Sequence, residues 1–406
     1  MGATSEGSDV DFGVDEETRL LLDSLDEFVA REVEPLVADL GETYENPRRR
    51  HEPDGRLVDE VLEAREAVRR KSAEAGFYAM NLPGPDGEEP VSTVTWYRAK
   101  RHLATHGPGL SEAVLAGPEG PKPLLALAEG EQVERYLEPA LRGEKTTAFA
   151  QTEPGVGSDS PNMATTARNE GEEWVISGQK QWITNAPYAD FVQVFARTTP
   201  QAEAGRHGGL TCFIVEADEY EVGSLNNAVG WLGDQAELHF DDVRVPESRV
   251  LGAVDEGFEA AMDFLSLGRL ELGAEAVGFT RFLLDRGVEY ANRREAFGRS
   301  IGGFQGVSHK LAEARARNFA ADAAGLRTAW EMDRGGDAIE ASSIFKYLAT
   351  NCCFDAADDV IGVHGATGVS EEEPFADLMA TARVLRIVEG TDEIQLNTIA
   401  KQLGVE

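Results

Sequence analysis

One acidic residue near the C-terminus has neighbours that suit proton transfer. Glu389 precedes Gly390 and follows an apolar segment that contains Val384, Leu385 and Ile387. A carboxylate that apolar groups shield from water has a raised pKa, which makes it a competent general base near neutral pH. A lone glutamate beside a glycine is also typical of an exposed helix N-terminus, where the helix dipole favours an acid. The residues around Glu389 leave both interpretations open.

Two turn-rich motifs near the middle of the chain offer a surface for a flat ligand. The first, Phe149–Asp159, reads FAQTEPGVGSD, and the second, Gly178–Asn185, reads GQKQWITN. Glycines in the first motif let the backbone approach a ligand closely, and Thr152 offers a hydroxyl and an amide there. In the second motif, Trp182 supplies a large flat surface and Thr184 another hydroxyl. Each motif alone is also typical of an ordinary loop or a core tryptophan, but together they favour a site for a conjugated ring.

The elements that must position these residues fall into three stretches. Apolar residues at helical spacing predict the first helices, with a loop at Pro83–Pro90 between them: Glu16–Leu40, Leu57–Ala75, Ser92–Ala104 and Lys122–Leu141. Short β-rich runs then predict strands: Glu173–Ile176, Phe191–Ala196, Thr211–Val215 and Glu237–Phe240. Four long helical patterns follow at about 258–292, 304–333, 338–362 and 374–403, the last one broken near Gly390.

This order predicts an α+β protein with three domains. We expect an N-terminal α-helical domain at residues 1–146, a small β-barrel or β-sandwich domain at 147–255, and a C-terminal four-helix bundle at 256–406. A chain of 406 residues exceeds the size at which one core keeps growing, which agrees with several domains. No Gly-x-Gly-x-x-Gly motif follows a predicted strand and opens a helix, so a Rossmann nucleotide site is not supported.

The charge of the chain limits its partners. The 38 Lys and Arg against 73 Asp and Glu give a net charge of −35, which excludes a nucleic-acid or anionic-membrane surface. The acids are spread along the whole chain, which favours a solvated coat suited to high salt over a patch for one cationic partner. No apolar run has the length of a membrane span, and Met1–Asp11 lacks the parts of a signal peptide. We therefore expect a cytoplasmic protein of halophilic character.

Three motifs, in their order and spacing, resemble those of the acyl-CoA dehydrogenase family. They are Thr152–Asp159, Gly178–Asn185 and Val388–Thr391, and the resemblance extends from about residue 16 to 404. The resemblance implies the same layout of helices, small β domain and helix bundle, with FAD as cofactor. It also implies conversion of an acyl-CoA to a trans-2-enoyl-CoA, with the electrons passed to electron-transfer flavoprotein.

The resemblance implies a set of cofactor contacts. Around the first two motifs these are Phe149, Gln151, Thr152, Gly157, Ser158, Trp182 and Thr184. Arg294, Phe297 and Gln305 would reach the FAD pyrophosphate and adenosine across a subunit boundary, which predicts a homotetramer or a homodimer. A guanidinium suits a diphosphate because it can donate two hydrogen bonds at once. Gly365 and Thr391 complete the predicted cofactor contacts.

The resemblance also assigns the chemistry. Glu389 would remove the α-proton, its backbone amide would donate to the thioester oxygen, and Gly390 would border the substrate. Some branches of the family place the base on the first helix of the bundle, where this chain has Gly268. One position carries an acid and the other does not, which favours Glu389. Arg269 and Ser158 would hold the CoA moiety, and no metal is expected.

The chain departs from the usual pattern of the family at several positions, which are Gly362, Ala366, Ala380–Thr381, Ser266 and Val388. These changes weaken the expected contacts to FAD and CoA or alter the pocket wall. His364 is interpreted as a packed residue and not as a ligand. Two alternatives to the dehydrogenase therefore stay open: a related flavin enzyme, such as an oxidase or one with a non-CoA substrate, and a catalytically silent subunit that binds acyl-CoA or FAD.

Overall fold

The computed structural model describes residues 13–84, 87–229 and 233–405. The predicted lack of a signal peptide at Met1–Asp11 concerns residues outside this described part, and so does the centre of the predicted loop at Pro83–Pro90. Helices come first in the described chain, strands next and long helices last, which confirms the predicted α+β class. None of the described helices combines the length and the apolar character needed to cross a membrane.

The N-terminal region is helical. Its helices are α1 (Glu16–Phe28), α2 (Glu34–Leu40), α3 (Glu42–Glu45), α4 (Asp59–Glu74), α5 (Thr93–Leu103) and α6 (Glu138–Leu141). Asp15 caps α1 by accepting a hydrogen bond from the Thr18 amide at 2.6 Å, and Ser92 caps α5 in the same way through the Thr95 amide at 3.1 Å. These caps satisfy amides that the helix itself leaves unpaired, so they fix where α1 and α5 begin.

The prediction of one continuous helix at Lys122–Leu141 is wrong. The chain forms a 3₁₀ turn at Pro123–Leu127 and becomes helical again only at a π-helical turn, Val133–Leu137, which leads into α6. Gly130 lies between the two pieces with φ of +53°, a left-handed conformation that a helix cannot contain. The apolar spacing is therefore produced by two short segments that pack into the same hydrophobic core.

The middle region forms a mixed β-sheet. Its elements are β1 (Thr147–Ala150), β2 (Thr166–Asn169), β3 (Glu173–Thr184), β4 (Phe191–Arg197), the short helix α7 (Gln201–Ala204), β5 (Leu210–Glu216), β6 (Glu221–Leu225), β7 (Gln235–Pro246) and β8 (Val250–Leu251). The strand order is β6-β7-β3-β2-β4-β5-β8, with β1 parallel to β4. The predicted small β domain is confirmed, and its described strands form an open sheet instead of a closed barrel.

Both faces of the sheet are buried at strand β4. Along β4, Val192 and Val194 pack into the core on one face, whereas Phe191 and Phe195 belong to a second core that includes Tyr136. Successive side chains of a strand point to opposite faces, so one strand contributes to both cores. The sheet is thereby held between its own loops and the helices that precede and follow it.

Strand β3 is longer than predicted. It extends past Ile176 to Thr184 and carries most of the second turn-rich motif. Its pairing with β7 is irregular between Ile176 and Gly178 and again between Lys180 and Ile183. Such irregularities bend a strand and redirect its side chains, and they are common beside binding sites. The second one coincides with Trp182, which has φ of +61°.

The C-terminal region is a helix bundle. It consists of α8 (Gly257–Arg293), a hairpin of β9 (Glu295–Ala296) and β10 (Arg299–Ser300), and then α9 (Gln305–Asp333), α10 (Ile339–His364), α11 (Phe375–Leu385) and α12 (Asp392–Gln402). Small and aromatic residues of α8 and α10, such as Ala274, Ala349 and Phe345, are buried in its core. The predicted break near Gly390 is confirmed, because residues 386–391 separate α11 from α12. This break carries Glu389.

Candidate active site

A cavity of about 2360 Å³ lies where the N-terminal helices, the sheet and the bundle meet. It brings together most of the residues that the sequence singled out, which are Phe149, Gln151, Thr152, Gly157, Ser158, Trp182, Thr184, Arg269, Glu389, Gly390 and Thr391. These residues are separated by up to 242 positions in the sequence, counted as 391 minus 149. Only the tertiary fold could place them around one space.

The backbone at the α11–α12 break directs Glu389 into the cavity. Glu389 has φ of +53°, which is uncommon for a residue other than glycine, and Gly390 follows with φ of +93°. The Glu389 carbonyl accepts hydrogen bonds from Arg269 Nε at 3.4 Å and from Gln395 Nε2 at 3.1 Å. Thr391 then caps α12 through the Ile394 amide at 3.3 Å. These contacts hold a strained backbone in place, as is common at functional sites.

The electrostatic surroundings suit Glu389 to accept a proton. Burial raises the pKa of the Glu389 carboxyl above its ordinary value, and the nearby Lys122 and Arg269 lower it in part. Glu271 adds to the rise because two like charges disfavour ionisation. The carboxyl keeps some contact with the cavity although protein surrounds it. In the structure, Glu389 is therefore not an exposed acid at a helix N-terminus.

Gly268 lies directly against the Glu389 carboxyl. A Cβ atom at position 268 would lie 3.1 Å from Glu389 Cδ and 3.2 Å from its Oε2 atom. The two positions that the sequence treated as alternative locations for an acid therefore face the same space. A side chain at 268 would compete with the Glu389 carboxyl, so glycine is the residue that leaves room for it.

Two buried cations support the base segment. Lys346 on α10 donates a hydrogen bond to the Gly390 carbonyl at 2.6 Å, and burial lowers its pKa to about 8. Arg269 is 7% exposed and also donates to Ser343 Oγ at 3.3 Å. The structure thus places Arg269 among the supports of the base segment, and its predicted contact with CoA stays a prediction. The sequence analysis missed Lys346, although a lysine inside the apolar pattern of α10 was a visible signal.

A buried ion pair fixes the first turn-rich motif to strand β3. Lys180 Nζ donates to Glu153 Oε1 at 2.9 Å and to the Gln151 carbonyl at 3.1 Å. Glu153 also accepts from the amides of Ala164 and Thr165, at 2.6 and 2.9 Å. Burial lowers the pKa of Lys180 to about 8, and the neighbouring Glu153 opposes that shift. The glutamate of the TEPG sequence therefore has a structural role that holds the turn at the cavity wall.

The wall formed by this turn and β3 fits a flat polar ring. The Trp182 side chain is 49% exposed at the cavity, although tryptophan usually lies in a core. Gln151 has a buried Nε2 atom with no hydrogen-bond acceptor among the described residues, and a bound ligand would supply one. Thr184 Oγ1 accepts from Gln235 Nε2 at 3.2 Å, so its own hydroxyl proton is available.

Four of the predicted cofactor residues do not line this cavity. Arg294, Phe297, Gln305 and Gly365 are exposed at the surface of the chain, and Phe297 is 95% exposed. Phe297 lies at the tip of the β9–β10 hairpin with φ of +53°. Within one chain these residues are separate from the turn and the base, and their predicted contact with FAD across a subunit boundary stays a prediction.

His364 is packed, as the sequence analysis interpreted it. Its ring lies 4.2 Å from that of Tyr290 and 4.5 Å from that of Phe375, and Nδ1 is 2.8 Å from the Val360 carbonyl. Gly362 and Ala366 beside it are exposed and do not line the cavity. These two departures from the family pattern thus lie outside the enclosed part of the site.

The chain matches known proteins over most of its length. Residues 148–243 match the middle domain of acyl-CoA dehydrogenases and residues 255–404 match their C-terminal domain. A 3-(aryl)acrylate reductase from Clostridium sporogenes is 32% identical over 93% of this chain and 96% of its own. A subunit of the caffeyl-CoA reductase–Etf complex from Acetobacterium woodii is 31% identical over 86% of this chain and 93% of its own.

A solved structure agrees with these matches. The acyl-CoA dehydrogenase from Geobacillus kaustophilus has a TM-score of 0.84 and 27% identity, over 97% of this chain and 100% of its own. The chain belongs to the acyl-CoA dehydrogenase family of flavoproteins. It is an oxidoreductase whose cofactor is FAD, and the ring-sized wall with its unsatisfied Gln151 amide fits that cofactor.

Proposed function

We propose that the protein removes two hydrogens from the α and β carbons of an acyl-CoA thioester and forms a trans-2-enoyl-CoA, with Glu389 as the base. The observation that supports this most directly is the position of Glu389. Its carboxyl is enclosed, has a raised pKa and shares one cavity with Trp182 and with the turn at 151–158, which is predicted to contact the flavin. Electron-transfer flavoprotein is the proposed acceptor, by analogy with the relative that forms an Etf complex.

Bound FAD supplies the acceptor for a hydride from the β carbon. The residues of the chain provide the proton transfer. Glu389 takes the α-proton as the hydride leaves, and its enclosure by protein keeps water from competing for the same position. The Glu389 amide has no hydrogen-bond acceptor in the described part of the chain, so it is available to the thioester oxygen. That amide would stabilise the negative charge that develops there when the proton is removed.

Anaerobic mixing of the purified holoprotein with acyl-CoA substrates tests this function. We expect the absorption band of oxidised flavin to bleach and an enoyl-CoA to be recovered. With electron-transfer flavoprotein or a dye as acceptor, turnover should continue without peroxide. A flavin that no acyl-CoA bleaches would contradict the proposal, and peroxide as the main reduced product under air would indicate an oxidase instead.

We further propose that the protein works as a homotetramer or a homodimer in a cytoplasm of high ionic strength. The net charge of −35 repels itself within the folded chain, and counterions screen that repulsion. Many acids remain exposed, as in Glu16 and Glu17 of α1 and Glu371 and Glu372 before α11. The melting temperature should therefore rise between low and molar KCl. A melting temperature independent of salt would contradict the high-salt adaptation.

A further inference from the structure

Charged side chains continue along the cavity wall beyond the base. On α8, Glu271 and Glu275 follow Gly268 at intervals of three and seven residues, so all three face the same side of the helix, and all three line the cavity. An α-helix rises 1.5 Å per residue, which places Glu275 about 10 Å along the axis from the level of the base. Lys100 of α5 and Glu112 line the cavity at the same end. The sequence analysis identified none of these four charged residues.

Each of the three carboxyl groups is held by one of its two oxygens. Trp96 Nε1 donates to Glu271 Oε1 at 2.8 Å, Lys100 Nζ lies 3.5 Å from Glu275 Oε1, and the Gly109 amide donates to Glu112 Oε1 at 2.7 Å. No described residue donates a hydrogen bond to the second oxygen, Oε2, of any of the three. The second oxygens of Glu275 and Glu112 are acceptors without a donor at the end of the cavity away from the base, whereas Glu271 lies nearer the base and influences its pKa.

The charges at this end of the cavity indicate which kind of group they accept. Lys100 is 6% exposed, and its ammonium already bonds the Ala116 carbonyl at 2.9 Å as well as Glu275. Burial raises the pKa of Glu112 to about 7, and the nearby Glu275 adds to that rise. Burial also raises the pKa of Glu275; Glu271 adds to that rise, and Lys100 opposes it. A further carboxylate would meet like charges here, and a hydrocarbon end would leave the polar groups unsatisfied.

We propose that the acyl group of the substrate carries a neutral hydroxyl at its far end, which donates a hydrogen bond to Glu275. The hydroxyl would lie about 10 Å from the base, the distance set by the rise of α8. An aromatic ring with a para hydroxyl or a chain of about eight carbons with a terminal hydroxyl both have this reach. This inference rests on the proposed acyl-CoA dehydrogenase activity and names the class of its substrate.

Matched pairs of substrates test the inference. One pair is 3-phenylpropanoyl-CoA and 3-(4-hydroxyphenyl)propanoyl-CoA, and the other is octanoyl-CoA and 8-hydroxyoctanoyl-CoA. We expect the hydroxylated member of at least one pair to have a kcat/KM about tenfold or more above its partner, because a site built for a hydrogen bond rejects the analogue that lacks it. Equal or better use of both plain substrates would overturn the inference, and so would a preference for a terminal amine or carboxylate.

Two variants identify the residue responsible. In Glu275→Leu, the ratio of kcat/KM for the hydroxylated substrate to kcat/KM for its plain partner should fall to about one. Because this change leaves Lys100 without its carboxylate, the double variant Lys100→Met/Glu275→Leu gives a second reading with no unpaired buried charge. Glu289→Leu, an exposed acid on the same helix, should keep the full preference. Preference retained in both variants would overturn the assignment.

Binding without turnover separates this inference from the proposed function. In Glu389→Gln holoprotein, calorimetry should show tighter binding of the hydroxylated acyl-CoA than of the plain one. If no acyl-CoA bleaches the flavin of the unaltered protein, the proposed function fails. If plain acyl-CoAs bleach it as fast as hydroxylated ones and bind equally well, only the substrate class fails.

Discussion

The two ends of the predicted cofactor site differ in how one chain builds them. At the base end, Glu389 is enclosed, its carbonyl is held by Arg269 and Gln395, and Gly268 leaves room for its carboxyl. At the other end, Arg294 and Phe297 lie exposed on a hairpin away from the cavity. One chain thus assembles the part of the site that performs chemistry. Among the described residues, the part predicted to hold the adenosine half of FAD has no enclosing wall, which the proposed second subunit would supply.

The largest expected effect comes from replacing Glu389 at the base end, and it concerns the rate of flavin reduction. Glu389→Gln keeps the size of the side chain but removes the group that accepts the proton, so flavin reduction by acyl-CoA should slow by about 10²–10⁴-fold. FAD content should stay stoichiometric, since the Gln151 and Trp182 wall is untouched. Stopped-flow absorbance under anaerobic conditions measures the rate. Glu393→Gln, an exposed acid four residues later, is the matched control, and unaltered reduction by Glu389→Gln would refute the base assignment.

The contact between Gly268 and Glu389 predicts that the base can be moved. In Gly268→Glu/Glu389→Gly, a carboxyl on α8 would enter the space that the Glu389 carboxyl vacates, because a Cβ at 268 points at that carboxyl from 3.1 Å. We expect flavin reduction about tenfold or more above that of Glu389→Gly alone, within the range of a general base placed with imperfect geometry.

The single variant and a neutral control complete this experiment. Gly268→Glu with Glu389 retained should fold poorly or lose activity, because two carboxyls would share one enclosed space. Gly268→Gln/Glu389→Gly offers the same bulk without a base and should show no recovery. Recovery with glutamine as large as with glutamate would mean that filled volume, and not proton transfer, restores the rate.

The exposed end predicts a smaller effect on cofactor binding. If Arg294 contacts the FAD pyrophosphate of a neighbouring subunit, Arg294→Ala removes a charge-assisted contact and should weaken FAD binding by about 10- to 100-fold. Flavin fluorescence on dilution measures the release, and light scattering measures the assembly. Arg293→Ala, which removes the adjacent guanidinium that pairs with Glu289, should retain FAD. Stoichiometric flavin and an intact assembly in Arg294→Ala would refute the contact between subunits.

The sequence was sufficient for much of the fold because the patterns were local. Apolar spacing identified the bundle helices, and β-rich runs located four strands of the sheet. The errors arose where tertiary contacts override local spacing. Pro123–Leu127 and Val133–Leu137 share an apolar face although Gly130 separates them, and β3 continues to Thr184 only because β7 pairs with it across two irregularities.

The same distinction applies to the site. Glu389, Thr152 and Trp182 belong to motifs of contiguous residues, and the structure brings all three to one cavity. Lys122 and Lys346 act on Glu389 from distant helical and loop segments that no motif connects to it. Their influence depends on burial and on distances between side chains, which arise only when the chain has folded.

The cations around Glu389 shift its pKa and therefore the pH range in which it can act as a base. Lys122 lowers the pKa of the Glu389 carboxyl more than any other neighbouring charge, against the larger upward effect of burial. The base must be ionised to accept a proton, so activity should fall as the pH drops through the pKa of Glu389. The position of that acid limb therefore reports the balance between burial and the neighbouring charges, of which Lys122 has the largest effect.

The smallest of the expected effects is a change in pH dependence, and Lys122→Met tests it. Removing the cation leaves burial less opposed, so the pKa of Glu389 should rise and the acid limb of the kcat/KM profile should move to higher pH. At a pH well above the limb, flavin reduction should change little, since Glu389 is then ionised in either protein. Lys71→Met, which removes a surface lysine paired with Glu32, should leave the limb in place. An acid limb that stays fixed or moves to lower pH in Lys122→Met would contradict the role assigned to Lys122.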